Sequence, residues 1–414
     1  MSALIRLLCL CAVPAVMALA GCAAPQSQVQ PQTLLQDANF KPLAQPLPVA
    51  EDIFALSPQM RTFIYDNPEF RLMVRRKGER QALIDALYAR PMLQLDYDSA
   101  ITRNAAEAFA ERSGNCLSLV IMTAALAKEL HLPVRFQTIY TEDFWTRSGN
   151  LYFVAGHVNL TLGLPQHNTN NEFTIIEPDM LMIDFVRPEA LRGHRRIEVD
   201  ESTVIAMYYN NRAAEMLEVG DVNAAYWWSR AAVLQQPRFL AGFNTLAVVY
   251  RRHGSSAGAE AALREVLRLE PDNLQALSNL VLVMRDQHRN AEADQLQARV
   301  AELQPYPPFK FFDLGVEAMK AGNFVKAREL FKKEVARSAY YHEFHFWLAL
   351  SDYALGDMRE AGRQLALAVE NSPTRKTHDL YAAKLAWLEQ QNRLREMPHI
   401  DPSIPLSLQQ PRSY

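Results

Sequence analysis

Cysteine is scarce in this 414-residue chain: four in all, and three of them, Cys9, Cys11 and Cys22, fall within the first 22 residues. The body of the chain keeps a single thiol, Cys116, so no internal disulfide framework can staple it. Glycine is sparse as well, 15 against 23 prolines, and no Gly-rich stretch has the form of a phosphate-cradling loop. No Cys-x-x-Cys or His-Glu-x-x-His spacing occurs, and His131 and His167 stand apart from other ligand types, so neither a metal nor a cofactor is expected. The formal charge of −3 removes the electrostatic footprint of a nucleic-acid binder. Past residue 21 no apolar run is long enough to cross a bilayer. What remains is ordinary globular composition, 49% hydrophobic and 21% charged, in a chain long enough for two or three domains.

The N-terminus carries an address. Arg6 precedes an uncharged apolar run from Leu7 to Ala20, too short for a span and followed by polar chain. Its end, Leu19-Ala20-Gly21-Cys22, resembles the bacterial lipobox. The resemblance implies a signal peptide over 1–21, cleavage before Cys22, and lipid attachment to that sulfur. Ala23 at the next position implies the outer membrane, facing the periplasm, as the address. Residues 22–50 are rich in Gln, Pro and Ala and predict a flexible tether, with order beginning near Asp52.

Over 51–200 the pattern is α+β. Ser57-Pro58 marks a helix start, and Leu83, Ile84, Leu87 and Tyr88 define one face of a helix over 80–89. A helix over 102–109 leads into Arg112-Ser-Gly-Asn-Cys116, and an Ala-rich apolar helix follows. Cys116 therefore falls in a first helical turn, where unpaired N–H groups and the helix dipole favour a thiolate. Alternation predicts strands over 134–140, in two parts over 151–162, over 173–176 and over 181–185. The segments 141–150, 163–171 and 191–202 read as two loops and a charged connector.

Gly114-Asn115-Cys116 opening a helix, Gly156-His157-Val158 on a later strand, and Met182-Ile183-Asp184-Phe185 after it resemble the transglutaminase-like branch of the papain-type cysteine fold. Ala125 to Val134 is similar to that family's helix-to-strand passage, and the resemblance covers about 95–190. It implies Cys116 as nucleophile, His157 as base and Asp184 as its orienting carboxylate, with Asp179 a rival for the third place. The sequence itself leaves open whether Cys116 and His157 are merely packed core residues.

From 203 to 394 a ruler of 34 takes over. Ala225, Ala259, Ala293, Ala327 and Ala361 keep that spacing, as do Gly220, Gly254, Gly322 and Gly356, with His288 filling the missing slot. Pro237, Pro271, Pro305 and Pro373 repeat it, with Ala339 in one slot. The period resembles that of tetratricopeptide repeats, which implies an all-α solenoid of five helix pairs and a closing helix. Such arrays hold protein or peptide segments. Tyr208, Asn211, Phe243, Asn244, Asn279, Arg285 and Lys310 lie on first helices as candidate groove residues, several of them open to packing between repeats instead. Residues 395–414 read as a Pro-rich tail.

Together these features predict a lipid-anchored envelope protein in which a cysteine acyl-transfer enzyme, peptidase, amidase or transglutaminase-like, receives a protein substrate from the array. The alternative is a non-catalytic adaptor whose cysteine domain is inactive. Membrane contact is expected through Cys22, and nucleic acid is not expected as a partner.

Overall fold

The computed structural model describes residues 30–89, 92–98, 101–140, 145–148, 151–154, 157–164, 180–185, 195–372 and 375–396. Cys22, the leader, the tail from 397, Asp179, His167 and the expected strand over 173–176 lie outside them.

Four helices come first, α1 (Ala50–Ile53), α2 (Pro58–Tyr65), α3 (Pro68–Lys77) and α4 (Glu79–Tyr88). Ser57 caps α2 by accepting from the Met60 amide, with Pro58 at its first position, which is the local chemistry expected there. α5 (Ala105–Glu111) starts at Asn104, whose side chain and that of Glu107 bond each other's backbone in a capping box. Then come α6 (Cys116–Glu129) and strands β3 (Val134–Tyr140), β4 (Trp145–Ser148), β5 (Leu151–Val154), β6 (His157–Leu162), β7 (Leu181–Ile183) and β8 (Arg195–Val199). Two residue pairs, β1 (Asp96–Tyr97) and β2 (Ser113–Gly114), run parallel just ahead of Cys116.

The main sheet is antiparallel in the order β7-β6-β3-β8. Two expectations are corrected by it. The charged connector contains β8, which pairs Phe136 with Val199 and Tyr140 with Arg195. The loop over 141–150 contains β4, hydrogen-bonded to β5 with Trp145 opposite Val154. β8 is an edge strand, so only one side of it needs a partner and its side chains are free to be charged.

α6 is the centre of this unit. Every residue from Leu117 to Ala127 is buried, so the helix is apolar all round, and a fully enclosed helix needs no polar face. Each fully buried Leu or Ile in it contributes roughly 1.5–3 kcal/mol.

Five antiparallel helix pairs follow: α7 (Glu201–Glu218) with α8 (Val222–Gln235), α9 (Leu240–His253) with α10 (Ser256–Leu269), α11 (Leu274–Asp286) with α12 (Asn290–Leu303), α13 (Lys310–Lys320) with α14 (Phe324–Arg337), and α15 (His342–Ala354) with α16 (Met358–Glu370). The closing helix α17 spans Arg375–Glu396. The ruler has a plain cause. Ala225, Ala259, Ala293, Ala327 and Ala361 are all fully buried, where a larger side chain would push paired helices apart. The turn position at Gly220, Gly254, His288, Gly322 and Gly356 has positive φ in every pair, from 59° at His288 to 89° at Gly254. Glycine is the residue that adopts this backbone without strain. The apolar core does not stop at the first repeat: Val204, Ile205, Tyr208 and Trp228 pack in the same cluster as α6.

Candidate functional site

Cys116 is placed by its neighbours before its own side chain enters the argument. Asn115 is the N-cap of α6 and accepts from the Ser118 amide at 2.9 Å and from Ser118 Oγ at 2.8 Å. Its own amide donates to Thr102 Oγ1 at 2.8 Å. Gly114 is needed for close approach, since a Cβ there would lie 2.5 Å from Ser118 Cβ. β1 fixes the entry: the Asp96 amide donates to Arg112 O at 2.9 Å and the Asp98 amide to Gly114 O at 3.0 Å. These bonds hold Cys116 at the first turn of α6, half-buried and as a free thiol.

His157 begins β6, the strand packed over α6, and is 4% exposed. Its Nε2 lies 2.7 Å from Asp184 Oδ1, leaving Nδ1 as the ring nitrogen available to the Cys116 thiol. Asp184 follows β7 directly, and the register that places Ile183 opposite Leu160 brings its carboxylate back over the imidazole. Burial alone would push His157 down. The bond to Asp184 and then the bond to Cys116 outweigh it and raise the imidazole to about 9, because both partners favour the cationic ring. Cys116, His157 and Asp184, 41 and 27 residues apart in sequence, therefore meet as a thiol–imidazole–carboxylate row.

One member of the site escaped the sequence reading. Asn159, fully buried on β6, donates through Nδ2 to Asp184 Oδ2 at 2.9 Å. The two carboxylate oxygens thus have separate holders, the imidazole and the amide. The signal available in advance was alternation, which places residues 157 and 159 on one face of a strand. Tyr97 also meets the site. The residue as a whole is 40% exposed, but desolvation at its hydroxyl, then the nearby Cys116 sulfur, raise that group above the usual range, while a hydrogen bond from the Cys116 backbone works the other way. Among the described residues no group of three or more His, Cys, Asp or Glu side chains could hold a metal ion.

The expected groove residues divide. Tyr208, Phe243 and Asn244 are 3%, 0% and 1% exposed and so do not line an open groove, which corrects the expectation. Tyr208 packs edge-on to Tyr209 and Trp228, and Phe243 joins the core of the first repeats. Large apolar and aromatic residues on first helices fill the space between stacked pairs before any reaches the surface. Asn211 and Asn279 are half-buried. Arg285 is exposed and pairs with Asp294 at 3.1 Å. Lys310 is exposed, bonds Pro305 O at 3.2 Å and sits 5.3 Å from the Tyr306 ring centroid.

A surface of the array is nevertheless occupied. Residues 31–41, expected to be part of a flexible tether, lie ordered against the first two repeats. Phe40 stacks on Tyr226 with ring centroids 3.8 Å apart and 4° between planes. Tyr226 Oη donates to Asp37 Oδ1 at 2.5 Å and accepts from the Gln36 amide at 3.0 Å. Tyr250 Oη donates to Leu34 O at 2.6 Å, and Trp227 Nε1 to Lys41 O at 2.6 Å. Arg230 pairs with Asp37 at 2.9 Å.

No family model matches this chain, and no curated protein does. Several solved structures resemble part of it. Yeast Tom70 is 16% identical over 47% of this chain, which spans 42% of Tom70, with a TM-score of 0.32. TTC0263, a thermophilic TPR protein of Thermus thermophilus, is 19% identical over 44% of this chain and 99% of its own, with a TM-score of 0.27. PilF of Pseudomonas aeruginosa is 19% identical over 46% of this chain and 97% of its own, at 0.24. The 34-residue helix pairs decide the fold of the C-terminal part on their own geometry. It is a tetratricopeptide-like array. No helix among the described residues is long and apolar enough to cross a membrane.

Proposed function

We propose that this chain is a protein-binding adaptor, a tetratricopeptide-like array that holds a protein or peptide segment beside a small α+β cysteine unit. The observation that carries the reading is the segment Leu34–Lys41, a short stretch of polypeptide with one turn at Asp37–Asn39, held on the array by aromatic stacking and side-chain bonds to its backbone. A photo-crosslinking residue at Asn279 or Arg285 tests it. A discrete crosslinked partner, retained with Cys116→Ala, supports an adaptor. Absence of any partner from full-length protein in its own cell envelope sinks it.

A second reading has its own specific support in the His157–Asp184 bond beside Cys116. In it the unit is a cysteine acyl-transfer centre, as the transglutaminase-like resemblance implies. The Cys116 thiolate attacks a carbonyl carbon, an Sγ–C bond forms, and the amide C–N bond breaks as His157 gives its proton to the leaving amine. Water or a second amine then resolves the thioester and restores the thiol. A burst of amine equal to the enzyme concentration, absent with Cys116→Ala, is the expected signature. Alkylation of Cys116 that is slow and indifferent to His157→Ala sinks this reading and leaves the adaptor standing. For the address, we propose lipid attachment at Cys22 and an outer-membrane, periplasm-facing location. The expected result is incorporation of labelled palmitate that disappears with Cys22→Ala.

A further inference from the structure

Tyr226 is wholly buried, yet its hydroxyl finds its partners in residues nearly 190 positions away, the Gln36 amide and the Asp37 carboxylate. The same holds across this face. Asn223 accepts from the Lys41 amide at 2.6 Å and donates to Lys41 O at 2.9 Å, gripping one residue by both of its backbone polar groups. Tyr250 and Trp227 each donate to a backbone carbonyl of the segment. Side-chain identity enters at only a few places. Phe40 stacks on Tyr226, Asp37 takes the Arg230 guanidinium, and Leu34 and Leu35 lie against the core of the first two repeats. Backbone bonds for affinity with a few side-chain anchors for selection are how folded domains read short peptide segments. The segment itself contributes two three-residue turns, Pro31–Thr33 and Asp37–Asn39. It joins no sheet or long helix, and the Asp37–Arg230 pair is open to water. These are the marks of a ligand carried in cis.

We propose that this face of the first two repeats is a peptide-recognition site, occupied here by the chain's own segment 34–41 as a displaceable intramolecular ligand. The partner it fits is a short protein segment with paired aliphatic residues, then an acidic residue that opens a single turn, then an aromatic ring three positions later. This deepens the adaptor reading and rests on it. Tethering gives the segment an effective concentration in the millimolar range, so an outside segment binds only when it is stronger or when the strap is weakened.

The test uses the full chain without its leader and a fluorescent peptide of residues 32–42. Wild type should bind it at least about a hundredfold more weakly than the Asp37→Ala/Phe40→Ala chain, since the strap competes in the former. Peptide carrying the same two substitutions should bind the variant at least tenfold more weakly. Equal binding by wild type and variant, or no binding by the folded variant at millimolar peptide, overturns the proposal. Hydrogen exchange on wild type guards against a variant that fails to fold. The Gln36 and Lys41 amides should exchange at least a hundredfold faster than amides of α10, by a local opening. Exchange of both sets at one rate means the segment is a permanent staple and overturns the proposal. Crosslinking at Asn279 or Arg285 that still captures a partner would then leave the adaptor reading intact.

Discussion

Asp184→Asn is the perturbation that reads the cysteine site most directly. In the folded protein burial works against a charged His157, yet Asp184 and then Cys116 raise the imidazole to about 9 from an ordinary 6.5. A folded-state value above the unfolded one means that the native protein holds the extra proton between those limits. The stabilisation is therefore full below pH 6.5 and lost as pH rises through 9. At 1.36 kcal/mol per unit the difference is about 3 kcal/mol. Asparagine removes the charge and offers one acceptor oxygen where Asp184 offers two, so its NH2 group must face either Asn159 Nδ2 or His157 Nε2. The imidazole should fall by about 1–3 units, the usual effect of losing an opposite charge at hydrogen-bond distance. Urea unfolding at pH 6 and pH 9.5 measures the consequence. Wild type should lose about 3 kcal/mol across that range, about 1–3 kcal/mol more than the variant does. Imidazole NMR should place His157 near 9 in wild type only. Equal losses in the two proteins, or a wild-type His157 titrating near 6.5, would refute the account of the site.

Other outcomes follow from single contacts. His288 stands with φ of 59° where the other four repeats have glycine, so His288→Gly should raise stability by about 1 kcal/mol in urea titration. Asp352 is fully buried, and burial followed by the Glu360 charge pushes its carboxyl up to about 6. Its stabilising protonated form is lost as pH rises from 3.8 to 6, so Asp352→Asn should gain up to about 3 kcal/mol at pH 7.5 and little at pH 4. Asn115→Ala removes the cap of α6 and its bond to Thr102. It should cost about 1–2 kcal/mol and alter the rate at which iodoacetamide labels Cys116, whereas an unchanged rate would show that the cap does not position the thiol.

Much of this architecture was legible residue by residue because its causes are local. A backbone position that must take positive φ selects glycine, and a helix contact that admits only a methyl selects alanine. Both constraints recur once per 34 residues, so the array declares itself as a ruler. Asn115 at a helix start and Ser57-Pro58 are legible for the same reason, since a cap bonds an amide two or three residues ahead. The row of Cys116, His157 and Asp184 was legible as order and spacing. Its meeting in space was not, because it depends on the register of β6 with β7 and on the packing of β6 over α6. Asn159 went unseen because its partner is a carboxylate at the end of the neighbouring strand, and an asparagine flanked by Val158 and Leu160 carries no local mark of that role. β8 passed for a connector because an edge strand is free to carry Arg and Glu.

The segment 31–41 was the largest departure. Its composition is that of a tether, and its few apolar residues, Leu34, Leu35 and Phe40, are buried only against the repeats. Its order comes from Tyr226, Arg230 and Tyr250, which lie 189 to 216 positions farther along the chain than the residues they hold. The sequence by itself determined most of the helices, where each repeat turns and which thiol stands at a helix start, for these are settled by bonds between near neighbours. The tertiary structure alone decided what the imidazole touches and where the tether lies, because both are settled by groups that only folding brings within hydrogen-bond reach.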